Sequence, residues 1–287
     1  MFHRFPPETP GVSPLFHSEP RAAVPVTGPH GRLFAASMLA FVAVFTAGLV
    51  AVFLADAGYV DAGSIGALLL EPEVRAAIWL SIWTSTATVA VGLLFAIPMG
   101  YALSRYRFPG HALVDSVVDL PIILPPLVVG LSLLVFFYHS FVGVLIREAG
   151  LQFAFRAQGI VLCQFLVSAS FGIRAVKLTF DGIDPRVEHV AMTLGCTRAG
   201  AFFRVALPMA RRGIVVGGIL IWTRAFGIFG PLMVFVGTAE RNRVLPTFIY
   251  LEQSTGQLKV ALAAAVLMLL LAAGALVLVR VLGLGQR

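Results

Sequence analysis

The chain has 287 residues, of which 59% are hydrophobic and only 12% charged, with a mean hydropathy of +0.92. Soluble domains carry about 25% charged residues, so the charged surface of a soluble protein is missing and the lipid bilayer is the implied solvent. Two cysteines, Cys163 and Cys196, exclude a disulfide scaffold. The net charge of +7 does not point to nucleic acid, because the basic residues fall between apolar runs and not along one stripe.

Residues 1–31 hold seven prolines and no periodic apolar pattern, which predicts a disordered tail. Six apolar runs follow, at Leu33–Ala55, Ala76–Ser104, Val117–Tyr138, Gly159–Lys177, Gly213–Val236 and Leu258–Leu282. Each is close to the roughly 20 residues that a helix needs to cross the hydrocarbon. The first is too long for a signal-peptide core and has no small-residue cleavage site after it, so it is read as retained. The prediction is an all-α, polytopic membrane protein with six transmembrane helices in one domain over residues 32–287.

Basic residues set the orientation. With the N-terminus in the cytoplasm, fourteen of them, Arg174 and Lys177 included, fall in cytoplasmic segments and six in outer segments. That is the asymmetry expected when Arg and Lys are retained inside. The first outer loop is acidic, with Asp56, Asp61, Glu71 and Glu73. Both termini are therefore placed in the cytoplasm, in a plasma or inner membrane.

Little in the chain suggests chemistry of its own. No phosphate-cradling GxxxxGK[ST] loop exists, since Lys177 precedes Leu178 and Lys259 precedes Val260. The six histidines show no metal-ligand spacing. Candidate acids and bases lie on opposite membrane faces, so no Ser-His-Asp set is suggested. Proton-coupled carriers usually bury carboxylates or histidines, and Asp119 is the one plausible acidic residue inside a span. An ion-coupled secondary transporter is thus the weaker rival, and any transport draws its energy from elsewhere.

The longest cytoplasmic loop, 181–212, carries the most information. Asp184-Pro185 reads as an N-cap followed by proline in the first turn, with Val187, Val190, Ala191 and Leu194 on one apolar face. Gly195 supplies a stop and Thr197 a second cap. Ala199, Phe202, Phe203 and Ala206 share a face in the second helix, which Pro208 is expected to close. Two short amphipathic helices suit docking of another protein. They equally suit a place on lipid headgroups, with Arg198, Arg204, Arg211 and Arg212 as anchors.

Glu188-His-Val-Ala191-Met-Thr-Leu-Gly195, followed by Val205-Ala-Leu207-Pro208, resembles the EAA motif of ABC importer permeases. From Gly195 onward Val205, Leu207 and Pro208 are in the motif's register. The family glutamate falls on His189 and its first alanine on Val190, with Glu188 displaced by one. Ser81–Thr88, Pro98–Arg105 and Leu120–Pro126 are similar to the family's second and third spans. Arg224-Ala-Phe-Gly227-Ile-Phe-Gly230-Pro and Val244–Tyr250 look most like the molybdate, tungstate and sulfate branch, with Ile228 where that branch commonly has glutamate.

The resemblance implies a type I permease domain that is not itself an enzyme and carries no cofactor or metal. Two copies would form a pathway in the membrane lipid, and a separate ATPase pair holding ATP and magnesium would bind the loop through Glu188, His189, Ala191, Gly195, Val205, Leu207 and Pro208. A binding protein would deliver cargo from outside: molybdate or tungstate ahead of sulfate, with iron or polyamine as the alternative within the class. Arg224, eleven residues into the fifth span, lies about 16 Å deep at ~1.5 Å per residue. A charge there must face protein or water. Two roles stay open for it: attracting or gating an oxyanion, or pairing with Asp119 and capping broken-helix carbonyls. Gly213-Ile-Val-Val-Gly217 reads as ordinary helix packing, and Pro98, Pro121, Pro125 and Pro126 as kinks or breaks.

Overall fold

The computed structural model describes residues 29–281, so the expected tail lies outside the described residues up to residue 28. Among the described residues the chain is helical, with no strand. In order come α1 (Pro29–Tyr59), α2 (Ala62–Leu70), α3 (Pro72–Arg105), α4 (His111–Ile123), α5 (Pro126–His139), α6 (Phe141–Glu148) and α7 (Ala157–Asp181). Then follow α8 (Arg186–Thr193), α9 (Arg198–Ala201), α10 (Leu207–Phe226), α11 (Gly230–Phe235), α12 (Leu245–Ser254) and α13 (Leu258–Val281). Five helical stretches are long and apolar enough to cross a membrane, or six with one bent pair taken as a span. The described residues divide between Phe53 and Leu54 into two separate units, and the packing described here belongs to the second.

Two of the six runs are broken, not continuous. The third expected span divides into α4 and α5, which meet at 112°. Pro125 and Pro126 remove two successive amide donors, and Leu124 before them is extended at ψ 138°. The fifth run stops at Phe226 and resumes at Gly230. Pro231 has no amide to donate to the Gly227 carbonyl, and at the helix end the Ala225 carbonyl accepts from the Ile228 amide at 3.3 Å and from Gln164 Nε2 at 3.2 Å.

A second correction concerns Pro208, which does not close the helix begun at Arg198. The helix runs on from Arg198 to Phe226. A π-helical turn at Phe202–Ala206 lets the Leu207 amide donate to the Phe202 carbonyl, one residue beyond the α register. Pro208 follows in the first turn of α10, and the local widening accommodates its missing amide and its ring.

Helices α3, α7 and α10 form the centre of the second unit. Ala96 and Leu103 of α3 pack with Ile173, Val176 and Phe180 of α7 and with Ala206 and Ala210 at the start of α10. Small residues allow the approach. A Cβ on Gly213 would stand 1.8 Å from Thr179 Oγ1, and one on Gly217 would stand 3.2 Å from Val176 Cγ2. The GxxxG sequence thus serves contact between α10 and α7 inside the chain. A second apolar cluster joins α5, α7 and α11 through Phe137, Cys163, Val167, Ile228, Leu232 and Phe235. A third joins α2 and α3 to α12 and α13 through Leu68, Val74, Phe248 and Ala264.

Candidate functional site

The α8–α9 loop forms as its residues dictate. The Arg186 amide donates to Asp184 Oδ1 at 2.9 Å, and the Gly200 amide donates to Thr197 Oγ1 at 3.1 Å, so both expected caps are made. Between the helices Gly195 takes φ +94°, a conformation that disfavours any residue with a Cβ.

The face that α8 buries differs from the expected one. Glu188 and Ala191, three apart, turn inward and are buried, whereas Val187, Val190 and Leu194 stand outside, Leu194 with 82% of its surface exposed. Apolar periodicity placed Ala191 with the valines, yet an ion pair decides which side faces the bundle. Arg105, the last residue of α3, donates from Nε to Glu188 Oε1 at 2.8 Å. Tyr101 Oη, one turn earlier, donates to Glu188 Oε2 at 2.5 Å. Arg105 is fully engaged beyond this: Nη1 donates to the Phe180 carbonyl and Nη2 to the Ile183 carbonyl, each at 2.9 Å. One guanidinium therefore holds the end of α7, the linker that follows it, and α8. Ser104 Oγ adds a hydrogen bond to Asp181 Oδ1 at 2.6 Å. The Tyr101 ring packs edge-on against Phe180 and Phe202, with centroids at 5.2 and 4.7 Å.

His189 is exposed beside this joint. It borders a cavity of about 340 Å³ that Tyr106, Arg105 and Arg198 also line. Val205 and Leu207 are half-buried and Pro208 is exposed, all three in or next to the π-helical turn. Of the residues named for the loop, Glu188, Ala191 and Gly195 shape it, whereas His189 faces outward together with Val187 and Val190 of α8 and Leu194 just after it.

Arg224 sits two residues before the end of α10, next to the break at Gly227. Its guanidinium lies 5.6 Å from the centre of the Phe171 ring, and its Nε is buried without a hydrogen-bond partner. It does not pair with Asp119. That carboxylate is clasped by Arg174 of α7, which also donates from Nη1 to Asp115 Oδ1 at 2.8 Å. Nor does Arg224 cap the broken-helix carbonyl at Ala225, since Gln164 does so. Ile228 is 3% exposed among Cys163, Val167 and Leu232, so the absent acid is matched by an apolar setting.

Sequence reasoning missed Tyr101, Gln164 and the Arg174 cluster. Both Arg174 and Lys177 lie within the fourth apolar run, and α7 continues past them to Asp181. Part of a signal was available: Asp115 and Asp119 are four apart on one helix face, and Arg174 is a charge within an apolar run. Among the described residues, no group of three or more His, Cys, Asp or Glu is placed to hold a metal ion.

Comparison with known proteins agrees with this architecture. Residues 92–286 match the family described as "Binding-protein-dependent transport system inner membrane component". The molybdenum transport system permease protein ModB of Escherichia coli K12 is 38% identical over 186 residues, covering 64% of this chain and 81% of that protein. The molybdate/tungstate transport system permease protein WtpB of Thermococcus kodakarensis is 36% identical over 213 residues, covering 74% of this chain and 81% of its own length. Among solved structures, a chain of the bacterial alginate ABC transporter, crystallised with an alginate-bound periplasmic protein, superposes with a TM-score of 0.68. It covers 87% of this chain and 92% of its own at 20% identity, a likeness of fold alone. The chain is therefore a multi-pass membrane protein that belongs to the family of inner-membrane components of binding-protein-dependent transport systems.

Proposed function

We propose that this permease forms, as a homodimer, the pathway of an ATP-driven importer for molybdate or tungstate, with sulfate as the lesser candidate. A separate pair of ATPases binds the α8–α9 loops from the cytoplasm, where both termini also lie, and a substrate-binding protein delivers the oxyanion from the opposite side. Hydrolysis belongs to the ATPases, so this chain needs neither a phosphate loop nor a cofactor.

The observation that carries this reading is the joint at Glu188. A docking element transmits force only if it is rigidly fixed to the spans and still leaves a surface free for its partner. Arg105 and Tyr101 fix α8 to the end of α3, while Val187, Val190 and Leu194 remain uncovered in the single chain. In this reading His189 stands at the ATPase contact, and Val205, Leu207 and Pro208 hold the turn that aims the loop. The names of the relatives, molybdenum and molybdate/tungstate permeases, support the cargo.

Arg224 is the pathway candidate. Its unpaired Nε and partial exposure at a helix break leave its charge available to an oxyanion crossing between the two copies. The reading is tested by ATP hydrolysis and uptake in proteoliposomes that hold permease, ATPase and binding protein. Molybdate and tungstate should stimulate both, whereas stimulation by an iron chelate or a polyamine would keep the importer and replace the cargo.

A further inference from the structure

We propose that Arg174 is a positioning residue for transport: it ties the first limb of the broken third span, α4, to α7 and hence to the coupling loop, so that a displaced loop carries α4 with it. The inference rests on the α8–α9 loop being the ATPase-docking element.

The geometry supports a clasp and not a packed interface. Arg174 donates from Nη1 to Asp115 Oδ1 and from Nη2 to the Asp115 carbonyl, each at 2.8 Å, and its Nε and Nη2 engage the two carboxylate oxygens of Asp119. Along α4 only Val118 is buried. With so little apolar burial, the limb is held by this guanidinium and two carboxylates, by Val118 packed against α3 and α7, and at its first residue by His111 Nε2, 3.0 Å from the Leu103 carbonyl. Its partner limb is anchored elsewhere and by other means. On α5, a Cβ at Gly130 would stand 2.6 Å from the Pro231 backbone of α11, a contact that locks α5 to the second break. The two limbs meet at 112° across Leu124 and two prolines, so α4 can pivot there without disturbing α5.

The clasp also has a continuous route to the loop. Arg174 lies seven residues before the end of α7, where the Arg105 guanidinium binds the Phe180 and Ile183 carbonyls and the Glu188 carboxylate of α8. From α8 to α4 every joint is an ion pair, a charged hydrogen bond or a helix.

The test uses the full complex with the binding protein, carrying Cys196→Ser and a Ser116→Cys reporter on the exposed side of α4. The reporter's reaction rate with a thiol reagent is compared between the nucleotide-free and ATP–vanadate-trapped states, alongside molybdate uptake and binding-protein-stimulated hydrolysis. With Arg174 intact the two rates should differ by about fivefold or more, the lower range of measured couplings. Arg174→Gln should bring their ratio close to one and depress uptake while hydrolysis continues. Arg174→Asp combined with Asp119→Arg should restore the difference. A ratio unchanged in Arg174→Gln overturns the proposal. A parallel fall of uptake, hydrolysis and complex assembly also overturns it, because the clasp is then only structural. If the unsubstituted complex shows no stimulated hydrolysis at all, the docking reading itself fails and this inference with it.

Discussion

Glu188 and Arg105 lie 83 residues apart in the chain, yet their side chains meet at 2.8 Å with only 8% and 10% of their surfaces exposed. The pair joins the α8–α9 loop to the third helix of the fold, and Arg105 extends the joint to the end of α7. Removing one member of a buried pair leaves the other charge unpaired, which typically costs about 3–5 kcal/mol. Glu188→Ala should therefore lower the melting temperature of the purified permease clearly. The double variant with Arg105→Ala should lose less than the sum of the two single losses, although Arg105 also holds the Phe180 and Ile183 carbonyls, because no charge is then left unpaired. Additive losses would argue against a direct partnership.

The exposed face of α8 yields the opposite outcome. Leu194 contacts little in the single chain, so Leu194→Asp should change permease stability by no more than about 0.5 kcal/mol, as surface substitutions do. Co-purification of the ATPase should nonetheless fall sharply. Normal ATPase retention with Leu194→Asp and Val190→Asp together would remove this face from the contact.

For Arg224, the expectation is a loss of transport without a loss of assembly. A hydrogen bond to a charged group contributes about 1.5–3 kcal/mol, so Arg224→Gln should slow molybdate uptake by roughly 10–100-fold. Arg224→Lys, which keeps the charge and loses the planar fork, should fall between the two. Undiminished uptake by Arg224→Gln would leave the residue as a packing partner of Phe171.

Ile228→Glu tests whether the branch's glutamate can simply be restored. Its neighbours Cys163, Val167 and Leu232 offer the carboxylate no hydrogen bond, and an ion in such a place costs several kcal/mol. The substitution should lower expression and thermal stability instead of improving transport. A fully stable variant with faster uptake would mean that the carboxylate reaches Arg224.

Gly213 reports the contact between α10 and α7. A Cβ there would fall 1.8 Å from Thr179 Oγ1 and 2.5 Å from Thr179 Cβ. Gly213→Ala should destabilise by about 1–3 kcal/mol through overpacking. Adding Thr179→Gly should relieve a substantial part of that loss, as measured by thermal unfolding in detergent.

The sequence makes the helical class, the apolar runs and the caps of the loop legible, because each rests on local pattern. Asp184, Thr197 and Gly195 act as their types demand. What local pattern misses is pairing at long range. Apolar spacing assigned Ala191 to the face of Val187 and Val190, but the partner on α3 lets a glutamate turn inward beside it. The Pro125-Pro126 pair marks the break in the third run in the sequence itself, whereas the break at Gly227–Pro231 in the fifth run, with Gln164 donating to the Ala225 carbonyl beside it, shows only in the fold. Asp119 stands out in the sequence as an acid inside a span, but helix order does not reveal that the helix opposite it brings Arg174 and not Arg224.

ATP hydrolysis by the reconstituted permease, ATPase and binding protein, titrated with molybdate, tungstate, sulfate and an iron chelate, tests the central claim most directly. The account predicts stimulation by molybdate and tungstate, and its collapse in Glu188→Ala even where the complex still assembles. Hydrolysis that ignores every oxyanion, or that stays fully coupled without Glu188, would contradict it.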